Sequence, residues 1–573
     1  MFTKLLPFSL FLIFLLITLC RSDEDWWKHA VFYQVYPRSF KDSNNDGNGD
    51  LSGVIEKLSH LKDAGVNGVW LSPIMKSPQV DAGYDISDYY AIDDLYGNMD
   101  DLKKLIEKAH EMGLKIILDF VPNHTSNEHQ WFKESENKSD EYKDYYVWKD
   151  AKDDGSPPNN WISVFRGSAW KWSDKRKQFY LHHFAEQQPD LNYRNPKVRE
   201  DMKKVLLYYL DLGADGFRVD AFPFVFEDEQ FRDEPRTFKS SAGENDYGYL
   251  NHIYTNNLPE TYDLLSEWRH LLDEYSKNHE GGARILMTEA CADLEQVIRY
   301  YGNEDGSKLG AHFSFNFLFI SDIHKNISTA HDIVRIIYSW QNALPSIFTS
   351  NWVLGNHDNR RIPTRLGVEN IDSFNMLVQL LPGIAVTYNG EEFGQEDGEV
   401  TYEQGNDPSS RNRSIFESTS RDFERTPIHW DDTTNGGFND GAKPWLPVSS
   451  KYKEVNLASQ LDESKLSHYQ IYKKLTQKRK EDPARIGSTD AWAISDDVVV
   501  LKRSIESKHI VLVFKLGWHG KMEEESVYIP SIKAKEATVA LTSVNSAYKI
   551  GSIINPQQFK LQPHESLILD ISS

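Results

Sequence analysis

Cysteine is almost absent from this chain: two residues in 573, Cys20 and Cys291. Cys20 closes an N-terminal segment that reads as removable, so Cys291 would stand alone and no intrachain disulfide could form. Stability must then come from the size of the core rather than from cross-links. Long hydrophobic runs are equally scarce. The one present, Leu5 to Leu19, follows Lys4 and leads into Cys20-Arg21-Ser22 and the acidic Asp23-Glu24-Asp25. It is short for a spanning helix and has the layout of a secretory signal peptide over residues 1–22. The expectation is a secreted protein with no membrane partner, the competing reading being an uncleaved signal anchor. Positive charge is in deficit too. A formal net charge of −22 argues against nucleic acid or anionic lipid as partners. No internal repeat or low-complexity tract breaks the chain.

What is present is a rhythm. Hydrophobic residues make up 39% and aromatics 13%, enough for a large packed interior. From about Val31 to Asn389, short apolar runs alternate with longer amphipathic ones. Val31 to Tyr36, Gly68 to Ser72, Lys115 to Val121, Gly216 to Val219, Ile285 to Thr288, Asn351 to Leu354 and Ala385 to Tyr388 read as strands, with a weaker candidate at Ala311 to Phe315. Leu51 to Ala64, Met99 to Met112, Val198 to Leu212 and Thr261 to Lys277 read as helices between them. Continuous apolar strands alternating with helices imply a parallel sheet, and eight of them close a (β/α)8 TIM barrel of the α/β class. The polar, aromatic-rich stretch 125–192 is too long for a connection and is expected to be a subdomain inserted after strand 3. It splits the barrel into residues 23–124 and 193–483. Residues 484–573 read as a C-terminal antiparallel β-sandwich, from runs such as Val498 to Arg503, Ile510 to Lys515 and Ser566 to Ile571.

Three of the strands stop at an acid: Asp220, Glu289 and Asp358. A strand-end acid is commonly just a helix N-cap, but three at one mouth of a barrel suit the splitting of a glycosidic bond. Cleavage with retention needs a nucleophilic carboxylate and a separate acid/base carboxyl on the other side of the bond. Arg218, two residues before Asp220 and on the same side of the strand, is expected to keep that carboxylate ionised. Glu289, ending an apolar strand, is expected to hold a proton through desolvation. Asp358 beside His357 could bind sugar hydroxyls. Cys291 lacks an evident partner base and reads as a buried free thiol rather than a nucleophile.

The loop Asp42-Ser43-Asn44-Asn45-Asp46-Gly47-Asn48-Gly49-Asp50 places oxygen donors at alternate positions, as a Ca²⁺ loop does. It is not an EF-hand, because position twelve is Gly53 where a bidentate Glu is required. The alternative is a polar turn. Sequons at Asn137, Asn326 and Asn412 are candidate glycosylation sites, whereas the one at Asn123 falls in a motif expected to be buried.

Six segments carry a resemblance: Gln34 to Phe40, Asp119-Phe120-Val121-Pro122-Asn123-His124, Gln188-Pro189-Asp190-Leu191-Asn192, Gly216 to Asp220, Thr288-Glu289-Ala290 and Asn356-His357-Asp358. In this order they resemble the α-amylase superfamily of glycoside hydrolases, and within it the secreted insect-type α-glucosidases (maltases). The resemblance implies Asp220 as nucleophile, Glu289 as acid/base and Asp358 as transition-state stabiliser. It further implies a glucose pocket of Asp81, Tyr84, His124, Phe165, Arg218, His357 and Arg425, closed by Asp81 and Arg425, which makes the enzyme exo-acting on small oligosaccharides. A structural Ca²⁺ on Asp42, Asn44, Asp46 and Asp50, with a backbone oxygen at Asn48, is implied as well. Ala221 after the nucleophile resembles the α-1,4 side of the family rather than the α-1,6 side, and sucrose is a plausible second substrate. His429 stands where relatives often have Gln, at the outer leaving-group contacts. The rival from another class is a catalytically inactive barrel serving as heavy chain of an amino-acid transporter; a carbohydrate-binding or receptor protein is a third reading.

Overall fold

A computed structural model describes residues 25–238, 241–410, 412–519, 523–529 and 532–572. The expected signal peptide lies outside the described residues. Among them no helix is long and apolar enough to cross a membrane.

Eight parallel strands form the centre: β1 (Val31–Val35), β2 (Gly68–Leu71), β3 (Lys115–Phe120), β4 (Gly216–Val219), β5 (Ile285–Thr288), β6 (Phe313–Ser314), β7 (Asn351–Val353) and β8 (Ile384–Tyr388). The ladder runs β6-β5-β4-β3-β2-β1-β8-β7. Each strand is followed in the chain by a helix: α1 (Leu51–Asp63), α2 (Met99–Glu111), α3 (Pro196–Asp211), α4 (Pro259–Asn278), α5 (Leu294–Arg299), α6 (Ala330–Ala343), α7 (Ile371–Leu380) and α8 (His468–Lys478). The expected (β/α)8 pattern is therefore present, including the weak sixth strand, which shrinks to two residues. Between β6 and β7 a side chain takes over from the ladder. The Asn351 amide donates to the Ser314 carbonyl at 2.7 Å and to the Tyr301 hydroxyl at 2.9 Å, and accepts the Asn316 N–H at 2.9 Å.

The helices form where their sequences dictate. α2 opens on a reciprocal capping box between Asn98 and Asp101 and buries Leu102, Leu105, Ile106 and Ala109, one stripe at helical spacing. α6 repeats the device with Thr329 and Asp332, burying Ile333, Ile336, Ile337 and Trp340. Asp50 caps α1 by accepting the Gly53 N–H at 2.7 Å.

The stretch between β3 and α3 carries its own antiparallel sheet, with Gln178–Leu181 between Trp148–Lys149 and Trp170–Ser173. It has a separate aromatic core of Trp161, Trp170 and Phe179. At the other end, six antiparallel strands follow α8: β9 (Ser488–Ala493), β10 (Val498–Ile505), β11 (Lys508–Lys515), β12 (Ala537–Thr542), β13 (Ile553–Ile554) and β14 (Ser566–Ser572), ordered β9-β10-β11-β14-β12-β13. A two-strand sheet, Glu525–Val527 with Phe559–Leu561, contributes Val527, Phe559 and Leu561 to the core on one face. The apolar runs here serve two faces at once, because strand side chains alternate. Val499 and Leu501 join the barrel's Ile384 and Leu380, while Val498 and Val500 pack with Val527 and Leu561.

One long excursion has no counterpart in the sequence reading. Between β8 and α8 the chain runs about residues 389–467 in turns and helices of four residues or fewer. It leans back over the mouth of the barrel.

Candidate active site

The strand register sets the first carboxylates. Asp119 of β3 and Arg218 of β4 are partners across the ladder. Asp220 lies two residues beyond Arg218, on the same face of the extended chain. Beyond Thr288 of β5, the Glu289 N–H bonds to the Val219 carbonyl at 3.0 Å, so Glu289 leaves its strand beside Asp220. Arg218 joins all three. Its Nη1 meets Asp119 Oδ1 at 3.0 Å and Asp220 Oδ1 at 2.5 Å, and its Nη2 meets Glu289 Oε2 at 2.9 Å. The guanidinium is buried at 2% exposure, and these carboxylates hold its pKa above even the usual arginine range against the cost of burial.

One cation among three carboxyls overturns the expectation that Arg218 keeps Asp220 ionised. Burial drives the Asp220 pKa well above the carboxylate range. Arg218 opposes this, but the neighbouring Glu289 and Asp119 push further upward, and the Asp220 and Glu289 carboxyls lie within hydrogen-bonding reach of each other. Asp119 is raised to about 6 by burial despite the same arginine. Burial and these neighbours therefore favour the protonated form of Asp220 in the free site.

The next residue is distorted. Ala221 sits at φ 46°, ψ 31°, left-handed backbone that costs a non-glycine residue strain. The turn aims its N–H at Glu289 Oε2, 3.2 Å away.

Asp358 has the opposite surroundings. β7 ends at Val353 and the chain turns through Gly355, where a Cβ would lie 2.4 Å from Glu391 Oε1 and would have to displace that carboxylate. Asp358 Oδ1 then meets Arg425 Nη2 at 2.6 Å and Arg421 Nη1 at 3.2 Å. Burial works against its charge, but His357, Arg425 and Arg421 outweigh it and hold the carboxyl far below the ordinary range. Burial keeps His357 itself neutral, so the positive charge facing Asp358 is that of the two arginines. His357 Nε2 lies 2.7 Å from the Tyr84 hydroxyl and the two rings stack at 5.3 Å; that hydroxyl donates to Asp119 Oδ2 at 3.1 Å.

These groups face a cavity of about 450 Å³, in the range of small-ligand sites. Asp81, Tyr84, His124, Phe165, Asp220, Glu289, His357 and Asp358 line it, as expected. Arg218 and Arg425 do not; they stand behind the carboxylates.

The closing pair needs correction. Asp81 Oδ1 is bridged by Arg421 Nη2 at 2.8 Å, not by Arg425. Arg425, 1% exposed, is spent on Asp358 and on the His357 carbonyl, which its Nε reaches at 2.7 Å. Arg421 is fixed in turn by Asp407, whose carboxylate takes its Nη2 at 2.7 Å and its Nε at 3.0 Å, and it lies over the Phe165 ring at 5.3 Å. Asp81 is presented by a loop wound around Asp85, which is buried and accepts the Asp81 N–H at 3.0 Å and the Val80 N–H at 2.9 Å. Both Arg421 and Asp407 belong to the excursion after β8. No strand end or motif marks them; an arginine four residues before Arg425 was the one available signal. Phe184, Phe224, Tyr247 and Asn256 also line the cavity and were not anticipated.

Two further expectations change. Cys291 is exposed rather than buried, because the chain leaves β5 at Thr288 and carries it to the rim of the cavity. Desolvation by the surrounding cleft, with Glu289 nearby, still lifts its thiol above the ordinary range. His429 does not line the cavity. It is 1% exposed, its Nδ1 lies 3.0 Å from the Val455 carbonyl, and burial lowers its pKa to about 4.

In the 42–50 loop the carboxylates bind the backbone that curls around them. Asp42 accepts the Asn45 N–H at 2.7 Å and the Gly47 N–H at 2.8 Å; Asp46 accepts the Asn48 N–H at 2.8 Å; Asp50 accepts the Ser43 N–H at 2.9 Å. Among the described residues no group of three or more His, Cys, Asp or Glu side chains is gathered at one point, so an ion in this loop would have to draw its donors together and use the Asn44 amide and Asn48 carbonyl oxygens as well. Of the sequons, Asn137, Asn326 and Asn412 are exposed, and Asn123 is buried, its amide on Asp190 Oδ1 at 3.2 Å.

A parallel barrel whose strand ends bring two carboxyls onto one guanidinium, with a third acid held ionised opposite, defines a glycoside hydrolase site. The chain belongs to the alpha-amylase family: the catalytic-domain model matches residues 34–487. It is 45% identical to Maltase 1 of Drosophila virilis over 96% of this chain and 87% of that protein. Similarity to the human amino acid transporter heavy chain SLC3A1 is lower, 36% over 77% of this chain and 63% of the relative. Among solved structures, the alpha-glucosyl transfer enzyme XgtA superposes with a TM-score of 0.83 at 33% identity, covering 95% of this chain and 99% of that one.

Proposed function

We propose that the protein is an exo-acting, retaining α-glucosidase that removes terminal α-1,4-linked glucose from maltose and short oligosaccharides, and also cleaves sucrose. The observation that carries this reading is the Asp220–Glu289 pair on one arginine, facing a cavity whose far side is shut by Asp81 and Arg421. Both carboxyls sit on one guanidinium, Asp220 on its Nη1 at 2.5 Å and Glu289 on its Nη2 at 2.9 Å, which supports the close spacing of a retaining pair over the wider one of an inverting pair. The ion pair at the far side stops a chain from passing through and leaves space for a terminal sugar.

When glucose enters, the Asp220 proton passes to Glu289. The freed Asp220 carboxylate attacks the anomeric carbon as the glycosidic C–O bond breaks and Glu289 protonates the leaving oxygen. The positive charge developing on the sugar is met by Asp358, which the arginines keep ionised throughout. Water then attacks the glucosyl–Asp220 ester, giving its proton to Glu289, and α-glucose leaves. Rapid NMR of the hydrolysis of an aryl α-glucoside, whose leaving group is not a sugar, tests this: α-glucose as first sugar product is expected, and β-glucose or no hydrolysis overturns it. An inactive transporter chain would release no glucose at all.

Secretion, with glycans on Asn137, Asn326 and Asn412, is part of the same proposal and rests on the N-terminal apolar run and the exposure of the three asparagines. A structural Ca²⁺ on Asp42, Asn44, Asp46, Asp50 and the Asn48 carbonyl is also proposed. Its support is the alternation of donors along a loop already curled by its own hydrogen bonds. Such an ion would brace the entry to α1, far from the reacting atoms, so chelation is expected to lower Tm while leaving kcat unchanged.

A further inference from the structure

The loop that carries His357 and Asp358 is held at its base by a side chain that does not line the cavity. Arg365, in the short helix Ile362–Leu366, donates from Nε to the Arg360 carbonyl at 2.8 Å and from Nη2 to the Leu354 carbonyl. Leu354 directly follows β7, so these two carbonyls bracket the segment Gly355 to Asn359. Nε and Nη2 form one edge of a planar fork, which holds both carbonyls side by side. Nη1 reaches the Ile320 carbonyl at 3.5 Å, in the short helix Leu318–Ser321 after β6. Among the described residues no carboxylate is in ion-pair contact with Arg365. Burial disfavours its charge, and Glu391, Asp397 and Glu424 partly offset this from further away. A half-buried cation spent wholly on backbone carbonyls has a geometric duty rather than a charge to answer. Within the bracket, Asn356 Oδ1 accepts the Asp358 N–H at 3.0 Å and the Asn359 amide at 2.9 Å. The loop is thus closed twice, inside by Asn356 and at the base by Arg365. Arg421 and Arg425 keep Asp358 ionised, but where the carboxylate stands depends on the backbone that presents it.

We propose that Arg365 is a positioning residue for Asp358: by fixing the width of the loop base it sets where the Asp358 carboxylate stands against the sugar. The inference rests on the α-glucosidase reading, in which Asp358 meets the charge that develops on the ring. Its test is a double-mutant cycle on an aryl α-glucoside, with kcat and KM measured for the full chain, Arg365→Met, Asp358→Asn and the two combined. Methionine keeps much of the side chain's length and removes its donors. Arg365→Met is expected to lower kcat by about 10²-fold, the cost of misplacing a reacting group by about an ångström, with KM held within about twofold. In the Asp358→Asn background the same substitution should cost less than about threefold, because the group it positions is gone. Arg365→Lys keeps a donor without the fork; it should recover kcat to within about tenfold of wild type, and it carries the cycle if the methionine variant does not fold. A loss of folded protein lowers activity equally in both backgrounds. Equal losses therefore overturn the proposal, as does a kcat that Arg365→Met leaves unchanged. A wild type that releases no glucose, or an Asp358→Asn chain as fast as wild type, would instead overturn the parent reading.

Discussion

The two sides of the cavity use the same residue types in inverse proportion. Around Arg218, one guanidinium serves three carboxyls, Asp119, Asp220 and Glu289. Around Asp358, one carboxylate is served by two guanidiniums, Arg421 and Arg425. The first ratio favours a protonated Asp220; the second keeps Asp358 ionised. Retaining hydrolysis needs both conditions within one sugar's width: a pair that passes a proton and an acid that never takes one.

Breaking the proton-passing side should have the largest effect. Asp220→Asn is expected to lower kcat on maltose by at least about 10⁴-fold, as loss of a nucleophile does. Glu289→Gln should be comparably poor on maltose but retain a burst on an aryl glucoside whose phenolate leaves unprotonated. Equal loss on both substrates would remove Glu289 from the acid role. Next comes the ionised side. Arg421→Met leaves Asp81 and Asp407 buried without their cation, a loss of the order of 3–5 kcal/mol for breaking a buried pair. A fall of about 10²-fold in kcat/KM together with a lower Tm is expected. If Arg425→Met alone produced the change in KM, the assignment of the closing pair would revert to Arg425.

A smaller effect sharpens the ratio itself. Asp119→Asn removes one of the charges that raise Asp220, so the acid limb of kcat/KM should move to lower pH. The sign for stability follows from the same groups. Asp119, raised to about 6, keeps its proton in the fold after the unfolded chain has lost it, so its contribution diminishes as pH climbs from about 4 toward 6. Asp358, depressed, contributes fully above the unfolded carboxylate range and loses its contribution as pH falls through and below it. The gap between thermal melts of wild type and Asp358→Asn should stay constant from pH 7 to about 5 and only begin to narrow toward pH 3. The smallest change expected is at Ala221. Valine there places a β-branched residue in left-handed backbone at a cost of about 1–2 kcal/mol, visible as a lower Tm, and should shift the maltose-to-isomaltose rate ratio toward isomaltose. An unchanged ratio would remove Ala221 from linkage choice.

Much of this was legible in the chain because barrel strands are buried on both faces and read as apolar runs. Where such a run stops, the side chain that follows must face the mouth, and so Asp220, Glu289 and Asp358 could be found by eye. The helices announced themselves by stripe and cap, as α2 does with Asn98 and Asp101. The excursion after β8 has neither period nor cap, and it supplies Arg421 and Asp407; nothing local distinguishes Arg421 from Arg425. Cys291 was misjudged for the same kind of reason: composition says a lone cysteine is buried, while its exposure depends on where the chain goes after β5.

The sequence by itself determined the strand count and the barrel, because those follow from apolar periodicity, and it marked three acids at or just beyond strand ends whose roles the family resemblance implied. Tertiary structure decided which charges those acids meet. Protonation depends on the ratio of carboxyls to guanidiniums within a few ångströms, and residues 119, 218, 220 and 289 on one side, with 81, 358, 407, 421 and 425 on the other, become neighbours only when the barrel closes and the loops fold over it.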